Sequence, residues 1–116
     1  METQKTCIGK RLKEARLAFG ISQKKLGVLA GIDENSASSR MNQYEMGKHT
    51  PNFITLKRIG KILGYPVEFF YSDNDVTAKV IYLMGRFSDE NKIAVLSSLK
   101  NLALKYEKDL DLSLAE

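Results

Sequence analysis

Residues 22–51, SQKKLGVLAGIDENSASSRMNQYEMGKHTP, read as two short helices joined by a tight turn. Ser22 suits the start of the first helix, because its hydroxyl can accept a hydrogen bond from an otherwise unbonded backbone N–H two or three residues on. Leu26, Leu29 and Ala30 then recur at helical spacing. Gly27 falls where a side chain would keep a second helix away, and Gly31 supplies the positive-φ residue that stops the helix and turns the chain. Ile32 opens the second element, with Met41 and Tyr44 on its inward side. Its outward side is small and polar: Ser36, Ser38, Ser39, Arg40, Asn42 and Gln43. Bracketed by Lys24, Lys25 and Lys48, that face has the chemistry for base edges and phosphates.

The pattern S-Q-x-x-L-G-x-x-A-G, then M-N-Q-Y-E-x-G-K-x-x-P, resembles the helix-turn-helix of Cro-type phage repressors, the XRE family. The resemblance covers about residues 8–71 and implies a five-helix phage-repressor-like domain. It also implies that Gln23 contacts a phosphate and buttresses the reading helix, and that Lys48 and the backbone amides of the loop GKHT grip another phosphate. One departure stands out. Between Gly31 and Met41 the chain carries about four residues more than the family pattern, roughly one helical turn. That excess, near residues 33–36, either lengthens the reading helix or lengthens the loop before it.

A chain of 116 residues suits one compact domain, or a small domain with a dimerisation element. Cys7 is the one cysteine, so no internal disulfide can form, and a reducing cytoplasm is the expected location. No apolar run reaches membrane-span length, and METQKTC lacks a signal-peptide core. Charge is uneven. Residues 1–71 hold 12 Lys/Arg against 6 Asp/Glu, whereas residues 72–116 hold 6 against 8. A basic first part and a mildly acidic second part point to a polyanion-binding region followed by one with another task.

The first helix starts at Thr6 or a neighbour, carries Ile8, Leu12, Ala15 and Phe19 as its apolar stripe, and ends at Gly20. Lys10, Arg11, Lys13 and Arg16 read as its solvated side, some touching a DNA backbone. In the reading helix, Arg40 and Gln43 are the strongest base-reading candidates, since Arg pairs bidentately with guanine and Gln with adenine. Ser38 and Ser39 permit close approach beside them. Backbone contacts are expected from Gln23, Lys24, Asn42, Lys48, His49 and Thr50. Glu45 accepts a hydrogen bond or pairs with a cation, Arg16 being one option, because a carboxylate facing phosphate is repelled. His49 makes no metal site, having no second His and a single Cys to join it, and no cofactor is expected.

Pro51 and Asn52 open the next helix, with Phe53, Leu56, Ile59, Ile62 and Leu63 inward and Gly64 closing it. A short helix starting at Pro66 puts Val67, Phe69 and Phe70 on the core. Residues 71–75 have turn composition and divide a helix-turn-helix domain, 1–71, from a helical dimerisation element, 76–107, and a tail, 108–116. In the second part Val76, Val80, Leu83, Met84 and Phe87 make one apolar face. Ser88 caps the last helix, where Asp89 and Glu90 suit its positive end. Ile93, Leu96, Leu99, Ala103 and Tyr106, with a further row at Val95, Leu102 and Leu104, exceed what one small domain can bury. A second subunit meets that excess, so Leu96, Leu99, Ala103 and Tyr106 are the expected dimer stripe. The tail reads as a fraying helix end or as a partner contact through Leu110, Leu112 and Leu114.

The expectation is therefore an all-α, non-enzymatic, non-membrane protein: a sequence-specific double-stranded-DNA-binding transcriptional regulator, a repressor or autoregulator, acting as a homodimer on a palindrome. An antitoxin whose C-terminal helices bind a toxin, and a restriction–modification controller, remain the alternatives.

Overall fold

Hydrogen-bonding side chains begin most of the helices. Ser22 Oγ accepts from Lys25 N at 3.0 Å, Asn52 Oδ1 from Thr55 N at 2.8 Å, Asn74 Oδ1 from Thr77 N at 2.9 Å and Ser88 Oγ from Asn91 N at 3.2 Å. Each satisfies an N–H that the helix itself leaves unbonded. The computed structural model describes residues 6–107 and 109–116; the first five residues of METQKTC and Lys108 of the tail lie outside them. Its helices are α1 (Ile8–Phe19), α2 (Gln23–Leu29), α3 (Glu34–Glu45), α4 (Phe53–Leu63), α5 (Glu68–Tyr71), α6 (Asp75–Arg86) and α7 (Asp89–Tyr106), with a 3-10 turn at Ser113–Ala115. Among the described residues there is no strand. The all-α expectation of five helices followed by two holds.

The chain divides into two compact units, Met1–Gly85 and Arg86–Glu116. In the first, Leu12 and Ala15 of α1, Leu26 of α2, Met41 of α3, Leu56 and Ile59 of α4 and Phe70 of α5 are buried in one core. Gly27 does what its position implies: a Cβ there would lie 2.9 Å from Ala37 Cβ, so α2 and α3 meet closely only because it has none. Gly31, at φ +93°, makes the turn between them.

Several apolar side chains expected inside are outside. Phe19 is exposed, because α1 ends at Gly20 and Ile21, just past the turn, fills the core instead. Leu29 is exposed at the end of α2, where Leu26 and Ala30 take the inward direction. Phe53, at the first position of α4, is exposed with Lys57 Nζ 6.0 Å from its ring centre. The short helix starts at Glu68, two residues beyond Pro66, whose carbonyl accepts from Phe69 N at 3.0 Å.

The face of α6 that docks on the core is not its apolar stripe. Val76, Val80, Leu83 and Phe87 are exposed, whereas Ala78 is buried and Ile81 and Tyr82 pack on the core. A Cβ on Gly85 would come within 2.8 Å of Pro66 Cδ. Residues 78, 81, 82 and 85 follow the i, i+3, i+4, i+7 rule as well as the greasier stripe does. What selects them is Arg11. Expected on the solvated side of α1, it is only 2% exposed. Its Nε donates to Ser72 O at 2.7 Å, its Nη1 to Glu14 at 3.2 Å, and its Nη2 lies 2.9 Å from Asp75 Oδ1. Burial works against the charge, but hydrogen bonds with Asp75 and Glu14 outweigh it and the pKa is raised. The start of α6 is thereby pinned to α1, so the first compact unit includes one helix more than the expected 1–71 domain.

In the second unit no residue of α7 is buried, and Leu96, Leu99, Leu102 and Tyr106 are all exposed.

Asp75 gives a test of this join. The Arg11 hydrogen bond, then the Lys10 one, hold its carboxyl below the usual range. A depressed folded-state pKa contributes stability above the group's unfolded pKa, and that contribution is lost as pH falls through the folded value. Asp75→Asn should therefore lower the melting temperature at pH 7, and the gap to wild type should close in acid, below about pH 4. A gap that stays constant with pH would mean that the carboxylate charge does not hold α6.

Candidate nucleic-acid interface

The expected reading face lies on α3. Asp33 precedes it, its Oδ2 accepting from Asn35 N at 3.3 Å, and residues 34–36 form the first helical turn. The segment that sequence left open between helix and loop is thus the helix start. At about 100° per residue, Ala37 and Met41 point into the core, where both are fully buried. Tyr44 is partly buried beside them. On the opposite side Ser36, Ser39 and Gln43 share one row, flanked by Arg40 and by Asn35 and Asn42. Ser38 is exposed, yet stands about 60° from the Met41 direction and so off that row. Ser39 Oγ donates to Ser36 O at 3.3 Å, which leaves its lone pairs outward.

Position and rotation of α3 are fixed at its last residue. Glu45, its side chain 2% exposed, accepts from Arg16 Nε at 2.6 Å and Nη2 at 3.1 Å, a two-point fork from α1. Arg16 Nη1 also donates to Ile21 O at 3.0 Å. From α2, Gln23 Nε2 donates to Glu45 Oε1 at 3.1 Å and to Asn42 Oδ1 at 3.2 Å. Gly9 lets α1 lie directly on this end of α3, since a Cβ there would meet Glu45 O at 2.6 Å. The Arg16 option for Glu45 is the one realised, and Gln23 is a buttress. Both of its amide hydrogens are engaged within the protein, so a side-chain donor to phosphate from Gln23 requires one of these bonds to break.

The loop after α3 departs from what the resemblance implies. The amides of Lys48 and His49 donate to Gln43 O at 2.9 and 3.3 Å, and that of Gly47 donates to Tyr44 O at 3.2 Å. These three close the end of the helix rather than face outward, and Thr50 N is not among them, so the loop offers that amide with the side chains of Lys48, His49 and Thr50. A cleft lined by Arg40, Gln43, Tyr44, His49 and Thr50 runs beside α3. Lys24 stands 3.6 Å from Glu34 in an exposed pair, which screens that carboxylate but contributes little stability. Asn35 was missed from the sequence. Its signal was position, four residues before Ser39 and seven before Asn42.

Among the described residues no group of three or more His, Cys, Asp and Glu could hold a metal ion, and no helix is long and apolar enough to cross a membrane.

The helix-turn-helix family model HTH_3 matches residues 12–70. An uncharacterized HTH-type transcriptional regulator of Sinorhizobium medicae (strain WSM419) is 35% identical over 66 residues, covering 57% of this chain and 45% of that protein. An SPbeta prophage-derived uncharacterized HTH-type transcriptional regulator, YonR, of Bacillus subtilis (strain 168) is 34% identical over 61 residues, 53% of each chain. The chain thus spans about half the length of the curated relatives it matches. The crystal structure of the transcriptional regulator BswR superposes with a TM-score of 0.75 at 39% identity, over 84% of this chain and 96% of that one.

Arg16→Met tests the bracket. It would leave the Glu45 carboxylate buried with only a neutral amide to bond it, and breaking a buried pair costs about 3–5 kcal/mol. Urea unfolding should record that loss, and Glu45→Gln added to it should recover part. A change under about 1 kcal/mol would show that the pair does not hold α3.

Proposed function

The chain belongs to the XRE-type helix-turn-helix family of transcriptional regulators, and on that premise we propose that it binds double-stranded DNA sequence-specifically, as a homodimer on a palindromic operator, to repress or autoregulate transcription. One observation carries this reading: a row of short polar side chains on α3, flanked by Arg40 and held rigidly from behind by the Arg16–Glu45–Gln23 bracket. Ser39, Arg40 and Gln43 then meet base edges, with Ser38 at the margin, while Lys24, Asn42, Lys48, His49 and Thr50 meet the backbone and Gln23 acts chiefly through the protein. We read residues 33–36 as an added first turn of the reading helix, which extends that row towards Asn35 and Ser36.

The homodimer rests on α7. Leu96, Leu99, Ala103 and Tyr106 fall on one stripe (i, i+3, i+7, i+10), and three of the four are exposed. A single helix reads only a few base pairs, so useful specificity needs two copies about 34 Å apart on half-sites one DNA turn apart. The same apolar surplus supports the second reading, in which α7 holds a different protein, as in an antitoxin.

Selection from random duplexes should enrich one palindrome. Arg40→Ala should then relax discrimination at one base position by roughly 1–3 kcal/mol. Lys48→Ala should weaken all sequences alike. Enrichment of no sequence at any salt concentration sinks the regulator reading. Sedimentation equilibrium at micromolar concentration should give a dimer that Leu99→Glu dissociates, because the carboxylate would enter an apolar contact. A monomeric wild type removes the homodimer and favours the heterologous partner.

A further inference from the structure

A second cleft lies between α3 and α4. It is lined by Ser36, Arg40 and Tyr44 from α3, by Thr55 and Arg58 from α4, and by the turn at Gly31 and Asp33. Arg40 and Tyr44 line both clefts, so the two adjoin at these side chains and together make a channel along one flank of α3, with Arg58 towards one end and His49 and Thr50 towards the other. Gln23 reaches α3 through Asn42, about 160° of helix rotation from Arg40, so the channel is on the flank away from the Gln23 bracket. Arg58 is exposed, its Nη1 lies 3.7 Å from where a Gly31 Cβ would be, and it forms no ion pair among the described residues. The carboxylate that shares the channel, Asp33, is engaged at Oδ2 by Asn35 N.

We propose that Arg58 is a phosphate contact: the channel between α3 and α4 seats the DNA backbone strand on the side of the reading helix away from Gln23. This rests on the DNA-binding reading above and adds to it a site in the middle of α4, outside the stretch from which contacts were expected. A major groove is walled by two backbone strands, and a helix lying in it has one on each flank. Lys24 serves the first flank. On the second, the channel supplies Arg58 at one end and His49 at the other, with Lys48 beside His49 in the loop. A guanidinium there matches the two oxygens of a phosphodiester.

The test is the salt dependence of operator affinity for the full chain and three variants: Arg58→Gln, Lys48→Gln as a loop marker, and Lys61→Gln as an exposed α4 cation outside the channel. Each phosphate contact contributes about 0.9 to the slope of log affinity against log salt. A homodimer carries two such contacts, so Arg58→Gln should reduce the slope by about 1.8, and each doubling of salt should cost it about 3.5-fold less than wild type. Its preferred sequence and melting temperature should be unchanged, Arg58→Lys should restore most of the slope, and Lys61→Gln should match wild type. If Arg58→Gln keeps the wild-type slope while Lys48→Gln lowers it, Arg58 touches no phosphate and the inference falls alone. A changed preference at one base position would make Arg58 a base reader and overturn it likewise. Wild type without salt-dependent binding would remove the DNA reading, and this inference with it.

Discussion

The fork between Arg16 and Glu45 is the constraint on which the rest of the first compact unit turns. Three helices meet at one carboxylate: α3 supplies it, α1 grips both its oxygens and α2 adds an amide. Ion pairs of this kind are weak evidence for stability, because desolvation consumes much of the attraction. Their value is directional. Ala37, Met41 and Tyr44 seat α3 on the core, and the two-point fork adds a directional restraint on its rotation at the far end of the helix. Which α3 residues face outward therefore depends on a group that faces inward.

That dependence explains what was legible in the sequence. Caps, turn glycines and the close approach at Gly27 follow from local rules, and Ser22, Gly31, Asn52, Gly64 and Ser88 all do what those rules require. Glu45 was legible too, since a carboxylate among phosphate-facing residues needs a cation. Arg11 was not. Lys10, Arg11, Lys13 and Arg16 look alike as residue types, and only rotation about α1 separates them. Arg11 stands three residues after Ile8 and four before Ala15, on the inward side, so periodicity held the signal that charge obscured.

On α6 two faces satisfy helical spacing, and the less apolar one is packed on the core. Docking instead followed shape and charge: small Ala78 and Gly85 allow close approach, and Asp75 is tied to a buried guanidinium. Three of the loop amides after α3 are a different case. A pattern carries the residue types of GKHT but not the direction of an N–H, and here those of Lys48 and His49 turn back to Gln43.

Side-chain length on the outer row of α3 has a thermodynamic consequence. Ser36 and Ser39 have a single heavy atom beyond Cβ, and the helix beneath them is already immobilised, so little conformational freedom remains to be lost on contact. The long side chains, with most entropy to lose, sit on the flanks at Lys24, Lys48 and Arg58. Association then approaches rigid-body docking at the centre and ordering at the margins. None of Ser36, Ser39 and Gln43 belongs to the buried core, so on the proposed reading the centre is the part of the surface that substitution can change at the least cost to the fold.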